Sequence, residues 1–167
     1  LGPVCIILLI GLICILMRYI RLQREIHFAG EFRNKLTKYR QGSGKDTIAY
    51  EWLTMNSNRM QNQMGSFGEC EYISPNRVSN RYYLILNALP QIRDSFRLLS
   101  ARDEYGEALD DAILRYRGWA HDTKRRMRRS LSNPIMWLYE GVKYITSIPF
   151  ELFFYCGIFS QTRTRSI

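Results

Sequence analysis

Residues 1–17 carry no charged side chain and read almost entirely Leu, Ile, Val and Cys, after which Arg18, Arg21 and Arg24 arrive in quick succession. This is the pattern of a membrane helix meeting a basic interface. About twenty apolar residues at 1.5 Å rise cross a hydrocarbon core of roughly 30 Å, and the run reaches that length with Tyr19 and Ile20 at its edge. A buried soluble helix fits less well, because the stretch from Val4 to Met17 has no polar face to turn toward water. A cleaved signal peptide would want a basic stretch before the run and an Ala-x-Ala-like site after it, and neither pattern is seen.

Past this run the apolar positions step by three and four. Leu22, Ile26, Ala29, Phe32, Leu36 and Tyr39 form the stripe of an amphipathic helix that continues from the span. Gln41-Gly42-Ser43-Gly44 marks its end, and Asp46 is placed to cap a second helix over about Thr47–Met64, with Ala49, Trp52, Leu53, Asn56, Met60 and Met64 near one face and Gly65 as its stop. Two glycines and Pro75 make residues 65–79 read as a loop. A third helical stretch is predicted over about Asn80 to Leu99, kinked or divided at Pro90, whose ring removes a backbone donor.

Ser100 followed by Asp103 resembles a capping box with Asp in place of Glu, and opens the clearest soluble helix. Tyr105, Leu109, Ala112, Tyr116, Trp119, Thr123 and Met127 recur at alternating four and three residues. Such a seam packs inside one domain or in a coiled-coil pair; intramolecular packing is preferred, and Tyr105, Leu109, Ala112, Tyr116 and Trp119 are the candidates for partner or self-association. The same helix is acidic early (Asp103, Glu104, Glu107, Asp110, Asp111) and basic late (Lys124, Arg125, Arg126, Arg128, Arg129), which complements the helix dipole and accounts for the acidic cluster without a metal.

Asn133-Pro134 is a helix start, Asn as cap and Pro in the first helical position, and from Ile135 to Phe159 the chain turns apolar and aromatic. Glu140, Lys143 and Glu151 interrupt this segment and Pro149 divides it. A charge at the centre of a lipid-exposed span costs of order 2.5–3.5 kcal/mol, so these three are the candidates for intramembrane charges with a function. Three readings follow: a kinked pair lying in the interface or re-entering, a second crossing, or a soluble core element.

Composition and charge sharpen the placement. The formal charge of +9 and pI near 9.6 suit a protein lying against anionic lipid, where each nearby Lys or Arg is worth about 1 kcal/mol. The residues expected to touch headgroups are Arg18, Arg21, Arg24, Lys124, Arg125, Arg126, Arg128 and Arg129. Nucleic acid ranks lower as a partner, because the basic residues concentrate beside the two most apolar segments. Lys and Arg lie wholly after the first helix, which predicts its N-terminus outside and the main body in the cytoplasm.

Candidate chemistry adds little. The four cysteines are dispersed, with no CxxC or Cys/His spacing. Gly42-Ser43-Gly44-Lys45-Asp46-Thr47 superficially resembles a phosphate loop, but Asp46 occupies the hydroxyl position and Tyr39 the opening glycine, so a linker with a helix cap explains it better. His27 and His121 have no assignable nucleophile nearby. The polar run Asn56, Ser57, Asn58, Arg59, Gln61, Asn62 and Gln63 reads as a solvated face that could also bind a partner.

The expected fold class is therefore mainly α: a transmembrane helix over residues 1–20, a helical cytoplasmic domain over 21–132, an apolar membrane-associated segment over 133–160 that is re-entrant, interfacial or a second span, and a basic tail over 161–167. The expected function is a non-enzymatic membrane-anchored scaffold or accessory subunit with no cofactor or metal. Its partners would be membrane lipids together with a second copy or another protein. A component of a channel, transporter or membrane-perturbing assembly is the alternative.

Overall fold

The computed structural model describes residues 2–73, 79–97 and 104–155. Among them are five α-helices and one two-stranded sheet: α1 (Gly2–Gln41), α2 (Thr47–Met64), a short 3-10 turn (Gly65–Gly68), β1 (Glu69–Ile73), β2 (Ser79–Tyr83), α3 (Leu84–Arg97), α4 (Glu104–Leu131) and α5 (Pro134–Tyr155). The chain is mainly helical, and among the described residues α1 alone is long and apolar enough to cross a membrane. Two compact units form, one from Leu1–Arg21 with Lys124–Ile167 and one from Leu22–Thr123.

The unit Leu22–Thr123 has a core built from four helical stripes. Leu22, Ala29, Phe32, Leu36 and Tyr39 of α1 are buried, as their spacing predicts, whereas Ile26 is only half-buried and Phe28, outside the predicted stripe, is buried; Ala49, Leu53, Met60 and Met64 join them from α2, Ile85, Ala88, Leu89 and Ile92 from α3, and Leu109, Ala112, Ile113, Tyr116 and Ala120 from α4. At ~1.5–3 kcal/mol for each large apolar side chain taken out of water, this core dominates the unit's stability. Aromatic contacts tie the stripes together: Phe28, Phe32 and Trp52 pack with centroids 6.0–6.4 Å apart. Tyr39 meets Phe96 edge-on at 5.9 Å.

Turn chemistry sets the helix ends. The amide of Gly44 donates to the Tyr39 carbonyl at 3.0 Å, and the backbone turns out of α1 with positive φ at Ser43 (51°) and Gly44 (74°). Asp46 then accepts from the Ala49 amide at 2.9 Å, capping α2, which ends where Gly65 adopts φ 51°. That left-handed value suits a residue without Cβ.

Residues 65–79 differ from the loop that the sequence predicts. A 3-10 turn occupies Gly65–Gly68 and leads into β1, which pairs antiparallel with β2 in a register running from Glu69 opposite Tyr83 to Ile73 opposite Ser79. Tyr72, Ile73, Tyr82 and Tyr83 are residue types that favour strands, outweighed in the sequence reading by the glycines and Pro75. The third helix accordingly begins at Leu84, not Asn80, and runs unbroken through Pro90. Pro90 is exposed, where loss of one backbone bond can be compensated by water. Ser100 and Asp103 lie outside the described residues.

In the other unit, α5 begins as its sequence predicts, with the Asn133 side chain accepting from the Ile135 amide at 3.0 Å. Trp137 Nε1 donates to the Ser130 carbonyl at 3.2 Å and so fixes α5 against the end of α4. The helix is continuous across Pro149, which does not divide it. Gly11 of α1 and Gly141 of α5 are both buried at a close approach: a Cβ at Gly11 would run into the Trp137 backbone carbonyl, and one at Gly141 into the Ile7 carbonyl. Moving four residues up α5, from 137 to 141, moves four residues down α1, from 11 to 7, so the two helices are antiparallel.

Candidate functional site

The residues singled out by sequence fall into distinct surroundings. Of the basic set, Arg21, Arg24, Arg125, Arg126, Arg128 and Arg129 are exposed, while Lys124 is half-buried with its ammonium 5.7 Å from the Tyr19 ring centre. Arg18 has a defined partner: its Nη1 donates to Glu140 Oε2 at 2.7 Å. Glu140 keeps only 13% of its side-chain exposure, whereas Arg18 keeps 51%. One residue expected at lipid headgroups and one expected as an intramembrane charge thus form a single ion pair. Beneath it lies a cavity of about 100 Å³ lined by Ile15, Arg18, Met127, Ser130, Met136 and Glu140. Lys143 is exposed; the side chain of Glu151 lies outside the described residues.

Of the seam on α4, Leu109, Ala112 and Tyr116 are buried inside their own unit, and Tyr105 and Trp119 remain substantially exposed. Trp119 packs against Phe67 and Tyr116 at 5.8 and 5.9 Å. The acidic start of α4 is held by α1 through a two-pronged pair, Arg33 Nε to Asp110 Oδ1 at 2.7 Å and Nη2 to Oδ2 at 3.0 Å. The Arg33 hydrogen bonds hold the Asp110 carboxyl below the usual aspartate range, against an opposing effect of partial burial.

The polar run of α2 is largely engaged within the protein. Gln61 is buried; its Nε2 donates to the Gly68 carbonyl at 2.8 Å and its Oε1 accepts from the Ile85 amide at 3.0 Å, joining the 3-10 turn to the first turn of α3. Gln63 donates to the Glu25 carbonyl at 2.7 Å. The Arg59 guanidinium stacks 3.9 Å from the Phe28 ring centre, and Asn56 and Ser57 donate to carbonyls of their own helix. Sequence reading missed the buried role of Gln61; its signal is the coincidence of its position with the apolar stripe, one residue after Met60 and three before Met64.

The Tyr116 hydroxyl is buried without a hydrogen-bond partner. Burial raises its pKa; Gln63 lies near enough to pull the other way, yet its amide donates to Glu25 and no bond of acceptable geometry reaches the phenol. A cleft of about 320 Å³ lies at the α1–α2 turn among Tyr39, Tyr50, Glu51, Arg93 and Phe96. Ser43, Gly44 and Thr47 also line it, while Asp46 is taken up in capping α2 and in an ion pair with Lys38 at 3.3 Å. Arg93 in turn pairs with Asp94 at 3.1 Å. Among the described residues no three His, Cys, Asp or Glu side chains gather in a way that could hold a metal ion.

The contacts thus point to two features with consequences outside the fold: the apolar α1–α5 pair with its Arg18–Glu140 bridge, and the exposed aromatic residues of α4. Set against family models, curated proteins and solved structures, the chain matches none of them, and its function is read from these features alone.

Proposed function

We propose that this chain is a membrane-anchored, non-enzymatic scaffold or accessory subunit, with the N-terminus of α1 outside and the unit Leu22–Thr123 at the cytoplasmic face. The observation that carries the reading is the contrast within α1. Its most apolar 18-residue stretch has a mean hydropathy of 2.5 and is only 11% buried within the protein, while its later stripe from Leu22 to Tyr39 is buried in a packed core. An exposed apolar helix face of that size is a poor surface for water and a good one for acyl chains. Exposed Tyr105 and Trp119 are the side chains of the α4 seam that remain open to a partner or a second copy, since large aromatics that keep exposed area are favoured anchors of interfaces.

A non-catalytic role is supported by where the polar groups go: Gln61, Gln63, Arg33 and Asp110 bind each other's elements together. The second reading, a component of a channel, transporter or membrane-perturbing assembly, draws support from the close α1–α5 packing at Gly11 and Gly141.

The test combines membrane extraction with crosslinking of the full chain. Alkaline carbonate should leave the protein in the membrane fraction. The double substitution Tyr105→Ala with Trp119→Ala should keep it there and remove the crosslinked species. An unchanged crosslinking pattern would overturn the assembly surface, and release by carbonate would overturn the anchor.

A further inference from the structure

The pairing of α5 with the apolar half of α1 assigns α5 a place that its composition leaves open. We infer that α5 is inserted in the bilayer beside α1, the two forming an antiparallel helical hairpin whose outward faces are covered by lipid acyl chains, with Arg18 at its cytoplasmic margin reaching inward to Glu140. The inference rests on the anchoring of α1 proposed above and adds the second helix.

The contact itself has the character of a membrane interface. Hydrophobic burial gives little drive for helices to associate in lipid, and close approach at small residues takes its place. Gly11 and Gly141 supply that approach reciprocally, each lying against the other helix's backbone. The faces turned away from the contact stay apolar and open: Ile6, Leu9 and Ile13 on α1, and Leu138, Val142 and Ile145 on α5. Acyl chains are the occupant that suits both helices at once, because the exposed face of α5 lies along the same apolar stretch of α1 that its composition assigns to lipid. The 22 residues of α5 reach about 33 Å at 1.5 Å each, enough for a hydrocarbon core of roughly 30 Å.

Two of the three charges of α5, Glu140 and Lys143, are handled in the same geometry, and the third, Glu151, stands four residues before the end of the helix, toward the opposite margin. A lone carboxylate six residues into the helix would resist insertion, but Glu140 is largely covered and bridged by Arg18, which closes the apolar run of α1. Lys143 stands three residues further on. Side chains on a helix lean toward its N-terminus, so the long aliphatic stem of Lys143 carries its ammonium back toward the level of Glu140 and the basic end of the unit. The exposed arginines at the end of α4 gather where headgroup phosphates would lie.

Spin labels distinguish lipid, water and protein as the covering. The full chain, with its native cysteines replaced by alanine, is labelled singly at Val142→Cys and Ile145→Cys, both exposed positions that leave the helix contact intact. It is reconstituted in vesicles of phosphatidylcholine with phosphatidylglycerol. Collision with oxygen, which concentrates in lipid, is compared with collision with a water-soluble nickel chelate; Ser43→Cys serves as the aqueous reference and Ile13→Cys as the reference for α1. The expected result is an oxygen-to-nickel ratio at both α5 positions several-fold above that at Ser43 and close to that at Ile13. Introducing Glu140→Arg should lower the ratio at Val142, and adding Arg18→Glu should restore it. A high nickel signal at Val142 and Ile145 with Ile13 still lipid-like overturns the hairpin and leaves the anchor standing. Low collision with both reagents assigns the face to a second copy and equally overturns it. A water-like Ile13 overturns the anchor itself, and an unchanged ratio in Glu140→Arg overturns the role of the ion pair.

Discussion

Gln61 shows how a polar side chain can carry as much structure as an apolar one. Its amide bridges the Gly68 carbonyl and the Ile85 amide inside the core, so Gln61→Leu would strand two buried backbone groups at ~1–3 kcal/mol each. A loss of about 2–6 kcal/mol is expected, read as a fall in the melting temperature of the detergent-solubilised protein. Tyr116 presents the opposite case, a buried hydroxyl without a partner; Tyr116→Phe removes that group and should leave stability unchanged or raise it by up to about 1 kcal/mol. For Asp110, the hydrogen bonds from Arg33 lower the folded-state pKa. Its contribution to stability is therefore present above the unfolded aspartate value of about 3.9 and is lost as pH falls through the lower folded value. Melting temperatures taken across acid pH should show a steeper decline for the native chain than for Asp110→Asn, with no difference in decline counting against the pair.

At the scale of elements, α2 was legible from end to end because local chemistry marks both boundaries: Asp46 caps it and Gly65 closes it. The stripe of α1 was legible in most of its positions, its three-and-four spacing matching Leu22, Ala29, Phe32, Leu36 and Tyr39, while Phe28 takes the buried place that the spacing assigns to Ile26. The β1–β2 pair was not, since five-residue strands carry little periodicity and the pairing of Glu69 with Tyr83 depends on a partner strand that no local window contains. For the same reason the Arg18–Glu140 bridge, between residues 122 apart in the chain, was seen as two separate charges. Gly11 and Gly141 left a faint signal, a glycine inside each apolar run, whose meaning depends on the facing helix. On α4 the seam divides by burial: Leu109→Asp places a charge where exposure is 0% and should unfold the unit Leu22–Thr123. Circular dichroism and protease resistance distinguish that outcome from Tyr105→Ala, which is expected to leave both unchanged.

For the whole molecule, the membrane reading joins two units that could each have been described without it. If basic residues contribute to attachment beside the apolar anchor, replacing Arg125, Arg126, Arg128 and Arg129 with Gln should leave the protein resistant to carbonate yet reduce the protection of a cysteine placed at exposed Ser132 from a water-soluble maleimide in anionic vesicles, an effect that high salt would reproduce. Equal protection in both forms, at low and high salt, would remove the electrostatic part of the attachment. The glycine contact between α1 and α5 also has a history in time. Ribosomes add about 5–20 residues per second, so the 122 residues separating Arg18 from Glu140 take ~6–24 s to appear. Throughout that interval the newborn α1 presents the surface around Gly11 without its own α5. Another chain emerging on the same message carries an identical α5, which competes for that surface until the chain's own α5 arrives.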